Sequence, residues 1–140
     1  VAAKSSDFTL DGDALLAYLE GEKGKPRVKE LLHGAGSGEC TLYLSLINLG
    51  EVLYITERER GHVTALRALS AINQLPLHIV PVSRTKALAA AHIKACYPIS
   101  HADAFAAATA LEYRCTLLTG DPEFRAIADN GLILIEWLSR

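Results

Sequence analysis

Cys115-Thr116-Leu117-Leu118-Thr119-Gly120-Asp121-Pro122 is a short apolar run that stops in a glycine, an acid and a proline. A run without polar alternation describes a strand covered on both faces, and Pro122 is a natural first residue for the helix carrying Phe124, Ile127 and Ala128. The same order recurs along the chain. Phe8-Thr9-Leu10 leads into Asp11-Gly12-Asp13, residues 40–44 into Ser45, and residues 77–82 into Ser83, while Leu132-Ile133-Leu134-Ile135 forms a last apolar run. The segments between are helical in pattern. They are 14–19, a stretch opened by Pro26 with Val28, Leu31 and Leu32 on one face, 46–60 behind Ser45, 62–74 with Leu66, Leu69 and Ile72 at core spacing, 84–95 behind Ser83, and 101–111 behind Ser100. Gly34-Ala35-Gly36-Ser37-Gly38 reads as a flexible loop. Apolar strands alternating with helices predict an α/β fold with a parallel sheet of four to five strands, helices on both faces, and a ligand site beyond the strands' carboxyl ends.

The 140 residues are half hydrophobic and 21% charged, which suits one domain spanning residues 1–140 with a substantial buried core. With 14 basic against 16 acidic residues, the chain has no broadly basic surface, so any nucleic-acid contact is local. Cys40, Cys96 and Cys115 are widely spaced and lack a CxxC pair, which excludes a zinc ribbon or disulfide framework and predicts free thiols in the cytoplasm. Cys40 and Cys115 open strand-like runs and read as buried, inert side chains. Val1-Ala2-Ala3-Lys4-Ser5-Ser6 has no apolar stretch behind it of the export type, and no run of ~18 apolar residues suggests a membrane span.

Four acids carry the chemistry. Asp11 and Asp121 follow strands, Glu51 falls in mid-helix, and Asp103 lies near a helix start. Alone, Asp103 is equally a helix-capping residue, since Ser100 and Asp103 have capping-box spacing, and Asp121 is equally a turn residue before Pro122. Glu51 is harder to assign a structural use. Its neighbours at i−4, i+3 and i+4 are Ile47, Tyr54 and Ile55, so it stands beside an apolar face where an unpaired carboxylate is costly; a salt bridge to Arg84 or Lys86 is the alternative. Carboxylates gathered together raise one another's pKa unless a cation neutralises them, and an all-oxygen donor set suits Mg²⁺ or Mn²⁺.

Leu10-Asp11-Gly12-Asp13-Ala14-Leu15-Leu16-Ala17-Tyr18-Leu19, Ser45-Leu46-Ile47-Asn48-Leu49-Gly50-Glu51-Val52, Ser100-His101-Ala102-Asp103-Ala104-Phe105-Ala106-Ala107-Ala108-Thr109-Ala110 and Leu118-Thr119-Gly120-Asp121-Pro122-Glu123-Phe124 resemble, in order and spacing, the four motifs of PIN-domain nucleases. The likeness is greatest to the small VapC-type toxins of prokaryotic toxin–antitoxin pairs. It implies a three-layer α/β/α sandwich and a Mg²⁺- or Mn²⁺-dependent endoribonuclease with Asp11, Glu51, Asp103 and Asp121 at the catalytic and metal-binding positions. It further implies hydrolysis by a metal-activated water, leaving 5′-phosphate and 3′-hydroxyl ends. Asp11 and Asp103 are then the foremost ligands, Asp121 binds directly or through water, and Glu51 binds metal or orients the attacking water. Thr119 matches a supporting hydroxyl position. Asp13 departs from the Asn or Ser often found there and adds charge.

The resemblance implies three kinds of partner: an RNA substrate, a cognate antitoxin and a second copy of the chain in a homodimer. Apolar stripes on residues 14–32 and 62–74 are candidates for a groove that takes a partner helix. His101, Arg84, Lys86, Arg114 and Arg125 are candidate phosphate contacts. Three other readings compete. A housekeeping PIN nuclease would process RNA without an antitoxin; a haloacid-dehalogenase-like phosphatase would use Asp11 as nucleophile and Asp13 as general acid; and a non-catalytic interaction module would keep the fold without cutting.

Overall fold

A computed structural model describes residues 4–139. Val1, Ala2 and Ala3, part of the stretch read for an export signal, lie outside the described residues. In chain order the elements are β1 (Lys4–Leu10), α1 (Gly12–Leu19), α2 (Lys25–Gly36), β2 (Leu42–Ser45), α3 (Leu46–Arg60), α4 (His62–Asn73), β3 (His78–Val80), α5 (Arg84–Cys96), α6 (His101–Tyr113) and β4 (Cys115–Thr119). A 3₁₀ turn (Pro122–Phe124), α7 (Arg125–Asp129) and β5 (Ile135–Trp137) follow. All four strand pairings are parallel, and the sheet order is β3-β2-β1-β4-β5.

That order places the chain's change of direction between β1 and β4. From β1 the chain steps outward through β2 to β3, then crosses back to β4 on the other side of β1. A crevice opens at such a switch point, beyond the carboxyl ends of the two strands. Asp11 and Asp121 follow those two strands.

Both faces of the sheet are covered, and the two-residue period of a strand divides the core in two. Leu10, Leu42, Leu44 and Leu118 pack with Leu15, Val28, Leu31 and Val52 on one face. Leu117 and Cys115 pack with Ile93, Phe105, Phe124 and Ile127 on the other. Adjacent Leu117 and Leu118 thus point to opposite layers, which is why β4 carries no polar alternation. Helix α6 is buried along its whole middle, from Asp103 through Ala110. Its alanines let it lie close to the sheet and to α5, with no polar face to spare.

Several boundaries differ from those the sequence predicts. The glycine-rich stretch 34–38 is helical as far as Gly36, because Gly34 is buried and a Cβ there would stand 3.3 Å from Glu39 Oε2 and 3.6 Å from Cys40 Sγ. Close approach, not loop freedom, explains that glycine. Cys40 precedes β2 rather than opening it, and its thiol donates to the Leu31 carbonyl at 3.6 Å. The last strand lies at Ile135–Trp137 rather than 132–135, since pairing with β4 sets Ile135 opposite Leu117 and leaves Leu134 exposed. Leu66, assigned a core position, is exposed on α4, while Ile72 of the same helix is buried. No helix among the described residues is long and apolar enough to cross a membrane.

Candidate active site

Each acid is positioned by the element before it. Asp11 follows β1 directly and caps α1, its Oδ1 accepting the Ala14 N–H at 2.8 Å. Its Oδ2 accepts the Thr119 hydroxyl at 2.5 Å. Thr119 Oγ1 in turn accepts the Asp121 N–H at 2.9 Å, and Asp121 Oδ1 accepts the Glu123 N–H at 2.9 Å. Glu123 Oε1 closes the chain by accepting the Ser100 N–H at 3.1 Å. One hydrogen-bonded line therefore joins the first turn of α1, the end of β4 and the start of α6.

The helix-cap explanation of Asp103 fails on this geometry. Ser100 is the cap, its Oγ accepting the Asp103 N–H at 3.1 Å. In a capping box the third helical side chain would return the bond to the cap's own N–H. Glu123 from a distant segment does so instead. The Asp103 carboxylate is left for another use: it is 4% exposed, and its Oδ2 is buried with no hydrogen-bond partner among the described residues. A bare buried carboxylate oxygen costs several kcal/mol, on the order of an uncompensated polar burial, unless a proton or cation meets it.

Asp103, Asp121 and Glu123 each offer a carboxylate oxygen within 4.8 Å of the others'. Asp11 and Glu51 stand beside this trio and act on it electrostatically. Burial, then the negative Asp121 and Asp11, then a side-chain hydrogen bond with Glu123 and that group's charge, push the Asp103 carboxyl up to about 9. Burial likewise pushes Asp11 up to about 8, opposed by the bonds from Thr119 and Ala14 and reinforced by Asp13 and Glu51. Glu51 is also raised, chiefly by burial, with a bond from Asn48 acting against the negative Asp121, Asp13 and Glu123. The setting gathers more negative charge than it can carry alone, and a hard divalent cation held there would relieve it.

Glu51 reaches this end of the sheet from α3, which Ser45 at the end of β2 caps through a bond from the Ile47 N–H at 3.2 Å. Buried Asn48, one turn before Glu51, donates to Glu51 Oε1 at 3.4 Å and to the Ala102 carbonyl at 3.1 Å, tying α3 to the start of α6. The alternative of a salt bridge to Glu51 is absent among the described residues. Lys86 is 4% exposed and pairs with Glu112 at 2.5 Å. Buried at that ion pair, Lys86 is no phosphate contact. Gly12 matters for a different reason: a Cβ there would overlap Glu51 Oε1 and stand 3.0 Å from Glu51 Cδ. Asp13 Oδ2 accepts the Gly120 N–H at 2.9 Å, so it braces the turn after β4 as well as adding charge.

Three residues of this site were not singled out from sequence. Glu123 looks like an ordinary first-turn acid, Asn48 like a helix-surface amide, and Gly12 like a turn residue. All three lie inside a motif that holds one of the four predicted acids, Gly12 with Asp11, Asn48 with Glu51 and Glu123 with Asp121, and that was their one local signal. The phosphatase reading also fails here, because Asp11 is 1% exposed and both its oxygens accept protein hydrogen bonds, so it cannot serve as an open nucleophile.

Comparison with known proteins agrees with this architecture. The chain shares its fold with a chain of VapBC2 from Rickettsia felis, solved bound to a DNA fragment from their promoter (TM-score 0.74, 18% identity, 95% of this chain and 99% of that one). It shares it also with VapC20 of Mycobacterium tuberculosis, described as a Sarcin-Ricin loop cleaving toxin (TM-score 0.66, 18% identity, 86% and 94%). A third likeness is to a chain of FitAcB from Neisseria gonorrhoeae (TM-score 0.66, 19% identity, 91% and 95%). No curated protein matches the sequence. The family model for the PIN domain matches residues 8–130, a span that contains Asp11, Asp13, Glu51, Asp103, Asp121 and Glu123, and the chain belongs to the PIN domain family.

Proposed function

We propose that this chain is a Mg²⁺- or Mn²⁺-dependent endoribonuclease that hydrolyses RNA phosphodiester bonds, and that it is the toxin of a type II toxin–antitoxin pair acting in the cytoplasm. The observation that carries the reading is the Asp103, Asp121 and Glu123 cluster, with the orphaned Asp103 Oδ2 among it. Asp103 and Asp121 would hold the cation, with Asp11 and Glu51 completing the anionic setting and Glu123 joining the ligands. When bound, the cation supplies an acidified water and neutralises charge at the scissile phosphate. The chain does the rest. Thr119 holds one Asp11 oxygen in place, Asn48 aims the Glu51 carboxylate, and Glu51 orients the attacking water.

RNA as substrate and an antitoxin as partner are supported by the fold's occurrence in VapC20, a Sarcin-Ricin loop cleaving toxin, and in VapBC and FitAcB proteins. A depression lined by Leu19, Glu20, Thr56, Arg60, Thr64 and Arg67, with Val63 and Leu66 exposed nearby on α4, is where we place the antitoxin. We expect a homodimer in solution. Cleavage of structured and single-stranded RNAs with Mg²⁺, Mn²⁺ or EDTA, compared with Asp11→Asn and Asp103→Asn, tests the chemistry. Cleavage that persists undiminished in EDTA or in both variants overturns it. Growth arrest on expression, relieved by a small co-encoded protein, separates a toxin from a housekeeping nuclease.

A further inference from the structure

Trp137 is the chain's one tryptophan, and it remains 40% exposed at the carboxyl end of the edge strand β5. Its position is tied to the active site through the sheet. Trp137 pairs in register with Thr119, the residue whose hydroxyl holds Asp11, so their backbones run about 5 Å apart. The next residue donates its N–H to the Thr119 carbonyl at 2.8 Å. On the other side of the strand Glu136 takes two bonds from Arg27, at 2.7 and 3.0 Å, which anchors β5 to α2. The Trp137 backbone is therefore fixed beside that of Thr119, whose side chain binds Asp11, and its indole stays partly open to solvent.

Arg125 lies with its guanidinium 5.4 Å from the centre of the Trp137 ring. It is exposed, no carboxylate pairs with it among the described residues, and it follows the turn that carries Asp121 and Glu123. The Arg–Trp contact by itself is an ordinary surface cation–π pair. Its placement is what needs explaining. The acids repel a phosphodiester backbone, the chain has no broad basic surface, and something must hold a nucleic acid against that repulsion. A flat aromatic face with an adjacent cation supplies binding that does not depend on net charge, because each base presents a π face and each nucleotide a phosphate.

We propose that Trp137 and Arg125 form a nucleobase subsite, in which an unpaired base of single-stranded RNA stacks on the indole while the guanidinium takes the neighbouring phosphate, so that the scissile bond lies over the acids. This rests on the ribonuclease reading above and adds its substrate class: RNA with an extruded or unpaired base next to the cut. Duplex RNA, whose bases are stacked on one another, is excluded from the subsite.

The sole tryptophan makes the test direct. In EDTA, Asp103→Asn is titrated with a single-stranded RNA octamer and, separately, with inorganic polyphosphate of matched charge, while Trp137 emission is followed. The octamer is expected to quench the emission and polyphosphate to leave it unchanged; equal quenching by both would overturn the subsite. Arg125→Gln is expected to weaken octamer binding about threefold. In cleavage assays with Mn²⁺, Trp137→Leu is expected to raise KM about tenfold with little change in kcat, and Trp137→Phe to restore most of the loss. Thermal melts verify folding, and if Trp137→Leu does not fold, Trp137→Phe and Arg125→Gln carry the comparison. Cleavage with an unchanged KM in the folded variants would overturn the subsite and leave the ribonuclease reading standing. Octamer-specific quenching by a wild-type chain that cuts no RNA would support the subsite and overturn the ribonuclease reading.

Discussion

The Thr119 hydroxyl donates to Asp11 Oδ2 at 2.5 Å while accepting the Asp121 N–H at 2.9 Å, so one side chain sets the positions of two acids from different strands. Thr119→Val keeps the shape and removes both bonds. Loss of a residue that holds a ligand typically costs about 10–100-fold in activity or metal affinity, and we expect a fall in that range for RNA cleavage. Because the Thr119 bond lowers the Asp11 pKa, its loss should also move the acidic limb of the pH–rate profile to higher pH. Thr119→Ser should retain most activity. Full activity of Thr119→Val with an unshifted profile would show that the hydroxyl has no positioning role.

A second expectation concerns pH and the metal-free protein. Asp11 and Asp103 hold their protons up to about 8 and about 9, far above the ordinary carboxyl range, so between these values and about pH 4 the folded chain binds more protons than the unfolded one. Stability from these groups is complete below the ordinary carboxyl range and is lost as pH rises through the folded values. In EDTA the Tm should therefore fall across that window, and Asp11→Asn or Asp103→Asn should flatten the fall. Added Mn²⁺ should raise the Tm more at high pH than at low, since the ligands must shed protons to bind it. A Tm in EDTA that rises over the same window would contradict the site's electrostatics.

Gly12→Ala should separate stability from activity. Gly12 opens α1, where alanine is the better helix former, and the overlap falls on the movable end of Glu51. The expected result is a Tm close to wild type and a loss of about 10-fold to 100-fold in kcat, because an error of about 1 Å in a catalytic group costs that much. Unchanged turnover would remove Glu51 from the mechanism.

Glu123→Gln keeps an oxygen for the Ser100 N–H but removes a charge from the trio. Mn²⁺ affinity measured by calorimetry should weaken about tenfold or more, in line with the loss of a group that holds or tunes a metal. Ser100→Ala, which removes the helix cap instead, should cost about 1 kcal/mol of stability and leave metal affinity nearly intact. The opposite pattern would make Glu123 a capping residue only.

The order of strands and helices was readable because each element carries its own local signal. β4 was placed at residues 115–119, and Ser45, Ser83 and Ser100 cap the helices expected of them. Where neighbours outweigh local preference the local pattern misleads: Gly34 belongs to a packed helix, and β5 takes its register from β4. Among the acids, the ambiguity of Asp103 between cap and ligand had no solution within its own helix, since the competitor for the cap, Glu123, lies 20 residues away in the chain and meets it only in the fold.

The sequence by itself determined a parallel α/β architecture and four acids in an order shared with PIN nucleases, because strand burial, helix caps and turn residues act over a few neighbouring positions. Tertiary structure alone decided which carboxylates meet. It set β1 beside β4 so that Thr119 reaches Asp11, gave Glu123 the bond that frees Asp103, and used the absent side chain of Gly12 to admit Glu51. These are contacts between distant segments, and their energies depend on burial and mutual charge, which exist only once the sheet has formed.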